Sequence, residues 1–179
     1  MGKGFRIEPA TIEMLSDILF LEEACFSAPW TRKMMQAEFT GNRFAHFLVA
    51  RAGEDEQASP NRIVGYLCFW IVFEEVRLMN LAVHESIRRR GVATALVSEA
   101  LQAGAVQAAT RAVLEVRASN HSAQALYRSM GFRHVSTRTK YYNNPVEDAV
   151  LMEMEPLAVP RQLPRARVNT VRDGAGPAH

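Results

Sequence analysis

From Ile63 to Phe73 the chain runs through eleven residues without a charge. A membrane-spanning helix needs about twenty apolar residues, so this run reads as a strand. A chain that contains it must supply sheet partners, and its neighbours do. Phe44 to Arg51 reads as a strand before it, and Glu75 to Val83 as a strand after it. Consecutive strands of this kind pair most simply as hairpins. Ala52 to Arg62, polar and small, is the expected loop. The opening Phe5-Arg6-Ile7-Glu8 alternates apolar and charged residues like a half-buried strand, and Pro9 is expected to end it.

Helical periods lie between and after these strands. Thr11 is placed to cap a helix through about Glu22, with Ile12, Leu15, Ile18 and Leu19 at three-and-four spacing. Ser27-Ala28-Pro29-Trp30 is a loop, followed by a second helix near Thr31 to Phe39. Gly91 to about Gly104 carries Val92, Leu96, Val97, Ala100 and Leu101 at helical spacing. Ala112 to Val116 is a short strand, Ser122 to Met130 a helix, and Gly131 a left-handed cap. Phe132 to Thr137 and Asp148 to Glu153 are two further strands, joined by a loop with Asn143, Asn144 and Pro145. The expected class is α+β, an α/β sandwich: a central mixed, mostly antiparallel sheet flanked by helices.

Composition excludes several function classes. Of 179 residues, 48% are hydrophobic and 22% charged, which fits one globular domain and excludes disorder and fibrous repeats. The first nine residues include Lys3, Arg6 and Glu8 and no apolar block, so no secretory signal and a cytoplasmic protein are expected. Lys plus Arg is 21 against 19 for Asp plus Glu, a net charge of +2, too small to point to nucleic acid. Cys25 and Cys68 are expected to be reduced and buried, and the five scattered His residues suggest no metal. Beyond Pro156 the segment Leu157 to His179 has three prolines, four arginines and no aromatic residue. It is expected to be a mobile basic tail on a domain spanning residues 1–156.

Arg88-Arg89-Arg90-Gly91-Val92-Ala93-Thr94 lies between a strand and the Gly91 helix. A helix N-terminus leaves backbone N–H groups without partners and concentrates positive charge, which suits an anion. Gly91 allows close backbone approach, small Ala93 and Thr94 keep the entrance clear, and Arg89 and Arg90 add fork-shaped donors. A basic loop before an amphipathic helix reads equally well. Arg-x-x-Gly-x-Ala after a strand resembles the acetyl-CoA pyrophosphate loop of the GNAT superfamily of N-acetyltransferases, with Arg88, Gly91 and Ala93 filling its pattern. The resemblance implies a GNAT fold, loop contacts to acetyl-CoA from Arg88 through Thr94 (Arg88, Arg89, Arg90, Gly91, Val92, Ala93, Thr94), and backbone pairing of Leu81, Ala82 and Val83 with its pantetheine arm.

Leu114-Glu115-Val116-Arg117-Ala118-Ser119-Asn120, then Ala125-Leu126-Tyr127, then Gly131-Phe132, resembles the ribosomal protein alanine N-acetyltransferase (RimI-like) subfamily over about Phe5 to Met154. Acetyl transfer to an amine needs a base, because an α-amine with a pKa near 8 is largely protonated at neutral pH. It also needs a way to handle the oxyanion and a proton for the departing thiolate. A carboxylate at a strand end fits the first task and a neutral phenol the last. The resemblance assigns Glu115 as base, Tyr127 as acid and Asn120 as an acetyl-CoA contact. Read by themselves, Glu115 could instead pair with Arg117, Tyr127 could be core or rim, and Asn120 could be a helix cap.

The resemblance places Trp30, Glu74, Glu75, Tyr141 and Tyr142 at the acceptor groove. Trp30 as a loop anchor and the tyrosines as a hairpin face are the plainer alternatives. His84 and His121 border the site as lesser candidates for moving protons. The implied function is acetylation of a protein N-terminal α-amine, most simply a ribosomal protein alanine, by direct transfer in a ternary complex. Other amine acceptors, or an acyl-CoA-binding regulator without turnover, remain open.

Overall fold

The computed structural model describes residues 4–53 and 62–159. Within them, seven strands form one sheet: β1 (Phe5–Pro9), β2 (Ala45–Ala52), β3 (Ile63–Val72), β4 (Glu75–Val83), β5 (Arg111–Arg117), β6 (Arg133–Asn143) and β7 (Val146–Met154). Their order is β1-β2-β3-β4-β5-β7-β6. The β4–β5 pair is parallel and the other neighbours are antiparallel, as the α+β reading expects. The helices are α1 (Leu15–Cys25), α2 (Arg32–Gly41), α3 (Val92–Val106) and α4 (His121–Ser129). No helix among the described residues is long and apolar enough to cross a membrane.

The sheet separates two apolar clusters, and β3 feeds both. Leu67, Phe69 and Ile71 pack with Val92, Leu96, Val97, Ala100 and Leu101 of α3. Tyr66 and Cys68 pack with Ile18, Leu19 and Leu21 of α1. A strand covered on both faces has no polar face, which is why Ile63 to Phe73 carries no charge. Each fully buried leucine here contributes about 1.5–3 kcal/mol.

β4 changes face partway along. Val76 and Leu78 point to the α3 side, while Ala82 packs on the α1 side. Opposite β3, Leu78 pairs with Phe69 and Asn80 with Cys68, so Met79 is an extra residue. Such a bulge reverses the in–out alternation beyond it. At the same place β4 and β5 part. Their ladder covers only Glu75–Leu78 against Arg111–Leu114. Beyond it β4 continues with β3 to Val83, and β5 with β7 to Arg117.

The element boundaries agree with expectation in some places and depart from it in others. As expected, β1 ends at Pro9, which stands opposite Leu48 on an edge strand where no ladder N–H is needed. Ile12–Met14 is a 3-10 turn, and Thr11 makes no side-chain capping bond, so α1 starts at Leu15. Thr31, by contrast, caps α2 by accepting from the Met34 N–H at 3.3 Å. The last hairpin is longer than expected, because β6 runs to Asn143 and only Asn144 and Pro145 separate it from β7. Lying at the sheet edge and exposed along nearly its whole length, β6 has no apolar period to reveal it. Residues 54–61 of the expected loop and 160–179 of the expected tail lie outside the described residues. Leu157 itself is anchored: its N–H donates to the Thr110 carbonyl at 2.6 Å, and it packs against the α3-side core. Both cysteines are free thiols, Cys68 buried and Cys25 half-buried.

Candidate active site

Gly91 is the N-cap of α3 and has φ +82°, a left-handed conformation that strains any residue with a Cβ. A Cβ there would meet nothing within 4 Å, so the backbone angle alone demands glycine, and the space before the helix is open. Gly91 offers no side chain to cap the first-turn N–H groups of Val92, Ala93 and Thr94. They face that space with the positive end of the helix dipole. Arg89 and Arg90 are exposed beside it. Arg88 turns away: its Nε donates to the Val83 carbonyl at 3.0 Å, and its Nη2 lies 4.0 Å from Cys25 Sγ. Arg88 thus ties the loop to the end of β4. Leu81, Ala82 and Val83 occupy the part of β4 that has parted from β5.

Glu115 is the first residue of β5 beyond the last pairing with β4. Leu114 and Val116 point into the α3-side cluster, so Glu115 faces the opposite side. Its side chain is 31% exposed and bonds Arg138 Nη1 at 2.6 Å. Interaction with this carboxylate, and then burial, raises the neighbouring Tyr141 phenol above its ordinary pKa. The alternative pairing with Arg117 does not form. Arg117 binds Glu147 at 3.2 Å and the Asn144 and Pro145 carbonyls, and lies 4.2 Å from the Tyr142 ring centroid. An ion pair as exposed as Glu115–Arg138 contributes only about 0–1 kcal/mol, too little to explain a carboxylate beside the split as a stabilising feature.

Tyr127 owes its placement to the end of α4. Gly131, at φ +103°, donates to the Arg128 carbonyl, and Phe132 donates to the Tyr127 carbonyl at 3.0 Å. These two bonds form a Schellman cap, with the Phe132 ring edge-on to Tyr127 at 5.7 Å. The Gly-Phe pair after the helix therefore locks the phenol's ring. Tyr127 is 7% exposed. No buried side-chain N or O among the described residues lacks a partner, and none of them bonds this hydroxyl, so it meets open space. Burial, then the nearby Tyr142, pushes its pKa well above the ordinary phenol value. Tyr142 acts electrostatically on Tyr127 and feels the Glu115 charge, while Tyr127 packs in the α3-side cluster and Glu115 faces the other side of the sheet.

Asn120 is the N-cap of α4, its Oδ1 accepting from the Ala123 N–H at 3.1 Å. His121 begins that helix, and His84 Nδ1 accepts from the Ser86 N–H in a 3-10 turn, Glu85–Ile87, with no signal in the sequence. Glu147 braces the last hairpin against the β5–α4 junction through Arg117 and the Ser119 N–H. Hydrogen bonds from Ser119, and then the Arg117 charge, hold its carboxyl below the ordinary value of 4.5. A depressed folded-state pKa adds stability above the unfolded value and loses it as pH falls through the folded one. Thermal melts should therefore show wild type losing stability more steeply below about pH 4.5 than Glu147→Gln.

The acceptor candidates divide. Tyr141 and Tyr142 stand edge-to-face at 5.2 Å beside Glu115. Glu74 and Glu75 lie at the opposite end of β4, where the Glu75 carboxylate is held by Arg77 and Arg111. They line a shallow pocket with Phe73, Thr110 and Glu155, away from the split. Trp30 is half-buried in the α1–α2 loop, and its backbone N–H donates to Glu22 Oε1 at 2.8 Å. Glu22, which the sequence did not single out, is 1% exposed and also receives the Tyr66 hydroxyl and Asn80 Nδ2. Arg138 was missed too, since 23 residues separate it from Glu115.

Comparison with known proteins identifies the family. The family model described as Acetyltransferase (GNAT) family matches residues 15–132. A Salmonella typhimurium relative named [Ribosomal protein bS18]-alanine N-acetyltransferase is 30% identical over 136 residues, 75% of this chain and 86% of its own. The crystal structure of the Escherichia coli ribosomal-protein-S18-alanine N-acetyltransferase superposes with a TM-score of 0.74 at 23% identity, covering 90% of this chain and 99% of that one. Arabidopsis thaliana NAA60 in complex with acetyl-CoA gives a TM-score of 0.76 at 20% identity, covering 84% and 98%. From its sheet to the glycine that opens α3, the chain is a member of the GNAT family of acetyltransferases.

Proposed function

We propose that the protein transfers acetyl from acetyl-CoA to the N-terminal α-amine of a protein, and that a ribosomal protein beginning with alanine is its acceptor. The observation that carries this reading is the split after Leu78, with the open α3 N-terminus near one end and Glu115 on the other strand. Open first-turn N–H groups and the unpaired edge of β4 fit a diphosphate and an amide-bearing arm, respectively. Acetyl-CoA supplies the acetyl group as an activated thioester. Val92, Ala93 and Thr94 N–H hold its phosphates, with Arg89 and Arg90 adding charge. Leu81, Ala82 and Val83 pair with its arm through backbone, and Asn120 contacts it from the α4 N-terminus.

In this mechanism Glu115 takes a proton from the acceptor's ammonium, directly or through water. Tyr127, neutral at any physiological pH, gives its proton to the departing sulfur. Holding amine and thioester together supplies much of the rate. Tyr141, Tyr142 and Trp30 form the acceptor side; the 30% identity to an alanine N-acetyltransferase supports the choice of acceptor. A cytoplasmic location fits that partner.

The test is a panel of peptides, with free N-termini or internal lysines, incubated with acetyl-CoA and read by mass spectrometry. One added acetyl on the α-amine of alanine-initiated peptides is expected. Modification of lysines alone would overturn the reading.

A further inference from the structure

The Glu22 cluster determines which way an amide on β4 points. A carboxylate can only accept hydrogen bonds, and a buried one needs donors. Glu22 takes three: the Trp30 backbone N–H, the Tyr66 hydroxyl and Asn80 Nδ2, the last at 3.0 and 3.2 Å from its two oxygens. The Tyr66 hydroxyl spends its proton on Glu22 and so accepts from Asn80 Nδ2, at 2.8 Å. Both N–H groups of the Asn80 amide are thereby turned inward. Its oxygen must point the other way. No described residue bonds that oxygen, and since no buried polar side-chain atom is unpartnered, it reaches open space.

The location matters as much as the direction. Asn80 follows the Met79 bulge, which puts it on the α1 side of the sheet, and it lies beyond Leu78, where β4 has left β5. Glu115 faces the same side from the other strand. An outward amide oxygen and a carboxylate thus flank one opening, and neither can donate a hydrogen bond.

We infer that Asn80 is a substrate-positioning residue that receives an N–H of the incoming amine, and that Glu22 and Tyr66 are positioning residues that lock the amide in that orientation. The inference rests on the N-acetyltransferase reading and deepens it. An amine held between Asn80 Oδ1 and Glu115 offers N–H to both sides of the split, which favours nitrogen acceptors carrying at least two N–H groups. Glu22, sealed from solvent, acts only through Asn80 and the Trp30 loop.

Asn80→Ala should raise the peptide KM about tenfold, the worth of one hydrogen bond to a charged donor, with acetyl-CoA affinity changed less than about twofold. Glu22→Gln should raise the peptide KM by a smaller factor, since a neutral amide lets Asn80 turn over. The double variant Glu22→Gln/Asn80→Asp reverses donor and acceptor and keeps an outward oxygen, so it should recover a peptide KM within a few-fold of wild type. If Asn80→Ala folds and binds acetyl-CoA with an unchanged peptide KM, the inference is overturned. If Asn80→Ala does not fold, the double variant decides: a recovered KM supports the role and an unrecovered one overturns it. A wild type inactive on every α-amine peptide would instead overturn the parent reading, and this inference with it.

Discussion

Glu115→Gln is expected to lower kcat at pH 7 by about two to four orders of magnitude, the usual range for losing a general base. The replacement keeps the shape and one acceptor oxygen but cannot take a proton from an ammonium. Acetyl-CoA affinity should stay within about twofold, because the α3 N-terminus and the β4 edge are untouched. Stability should barely move, since the Arg138 guanidinium is more than half exposed and rehydrates when its partner is lost. The sharper signature is in pH. A free α-amine has a pKa near 8, so raising pH deprotonates the acceptor without help. The deficit of Glu115→Gln should therefore shrink between pH 6.5 and pH 9.5, by about an order of magnitude or more if the base's task is that proton. Steady-state rates across that range, with calorimetric titration of acetyl-CoA, check both claims. A deficit constant in pH, or a matching loss of acetyl-CoA affinity, would mean that Glu115 holds structure.

What the sequence made legible was whatever a local pattern encodes. The uncharged run of β3, the helical period of α3, the glycine that opens it and the Gly131 cap are each written within a few residues. β6 was underestimated because an exposed edge strand needs no apolar alternation. The bulge at Met79 belongs to the pairing of two strands and leaves no mark on either alone. The resemblance groups Glu74 and Glu75 with the acceptor groove. Five residues of strand, however, separate Glu75 from Asn80 by about 16 Å. Arg138 lies 23 residues from Glu115, and Glu22 reaches Tyr66 and Asn80 across 44 and 58 residues, so tertiary structure alone brings them together. Glu22 in particular looks like one more polar position near a helix end, and only burial distinguishes it.

The same difference in burial and bonding separates two tyrosines and yields the second large effect. Tyr127→Phe should lower kcat by about a hundredfold, the lower end of what a positioned acid contributes, and leave the melting temperature nearly unchanged. The ring keeps its edge-on contact with Phe132 and its place under the Schellman cap. Its hydroxyl bonds no described residue, so removal breaks no internal hydrogen bond. Tyr66→Phe is the matched control. There the lost hydroxyl leaves the buried Glu22 carboxylate short of a donor, at a cost of about 1–3 kcal/mol, and the melting temperature should fall. Because burial holds the Tyr127 phenol well above its ordinary pKa, activity in wild type should show no loss from its ionisation up to pH 10. Measuring kcat and melting temperature for the two variants together separates the roles. If Tyr127→Phe melted as early as Tyr66→Phe while keeping its rate, the phenol would be a packing element and the proton for the thiolate would have to come from elsewhere.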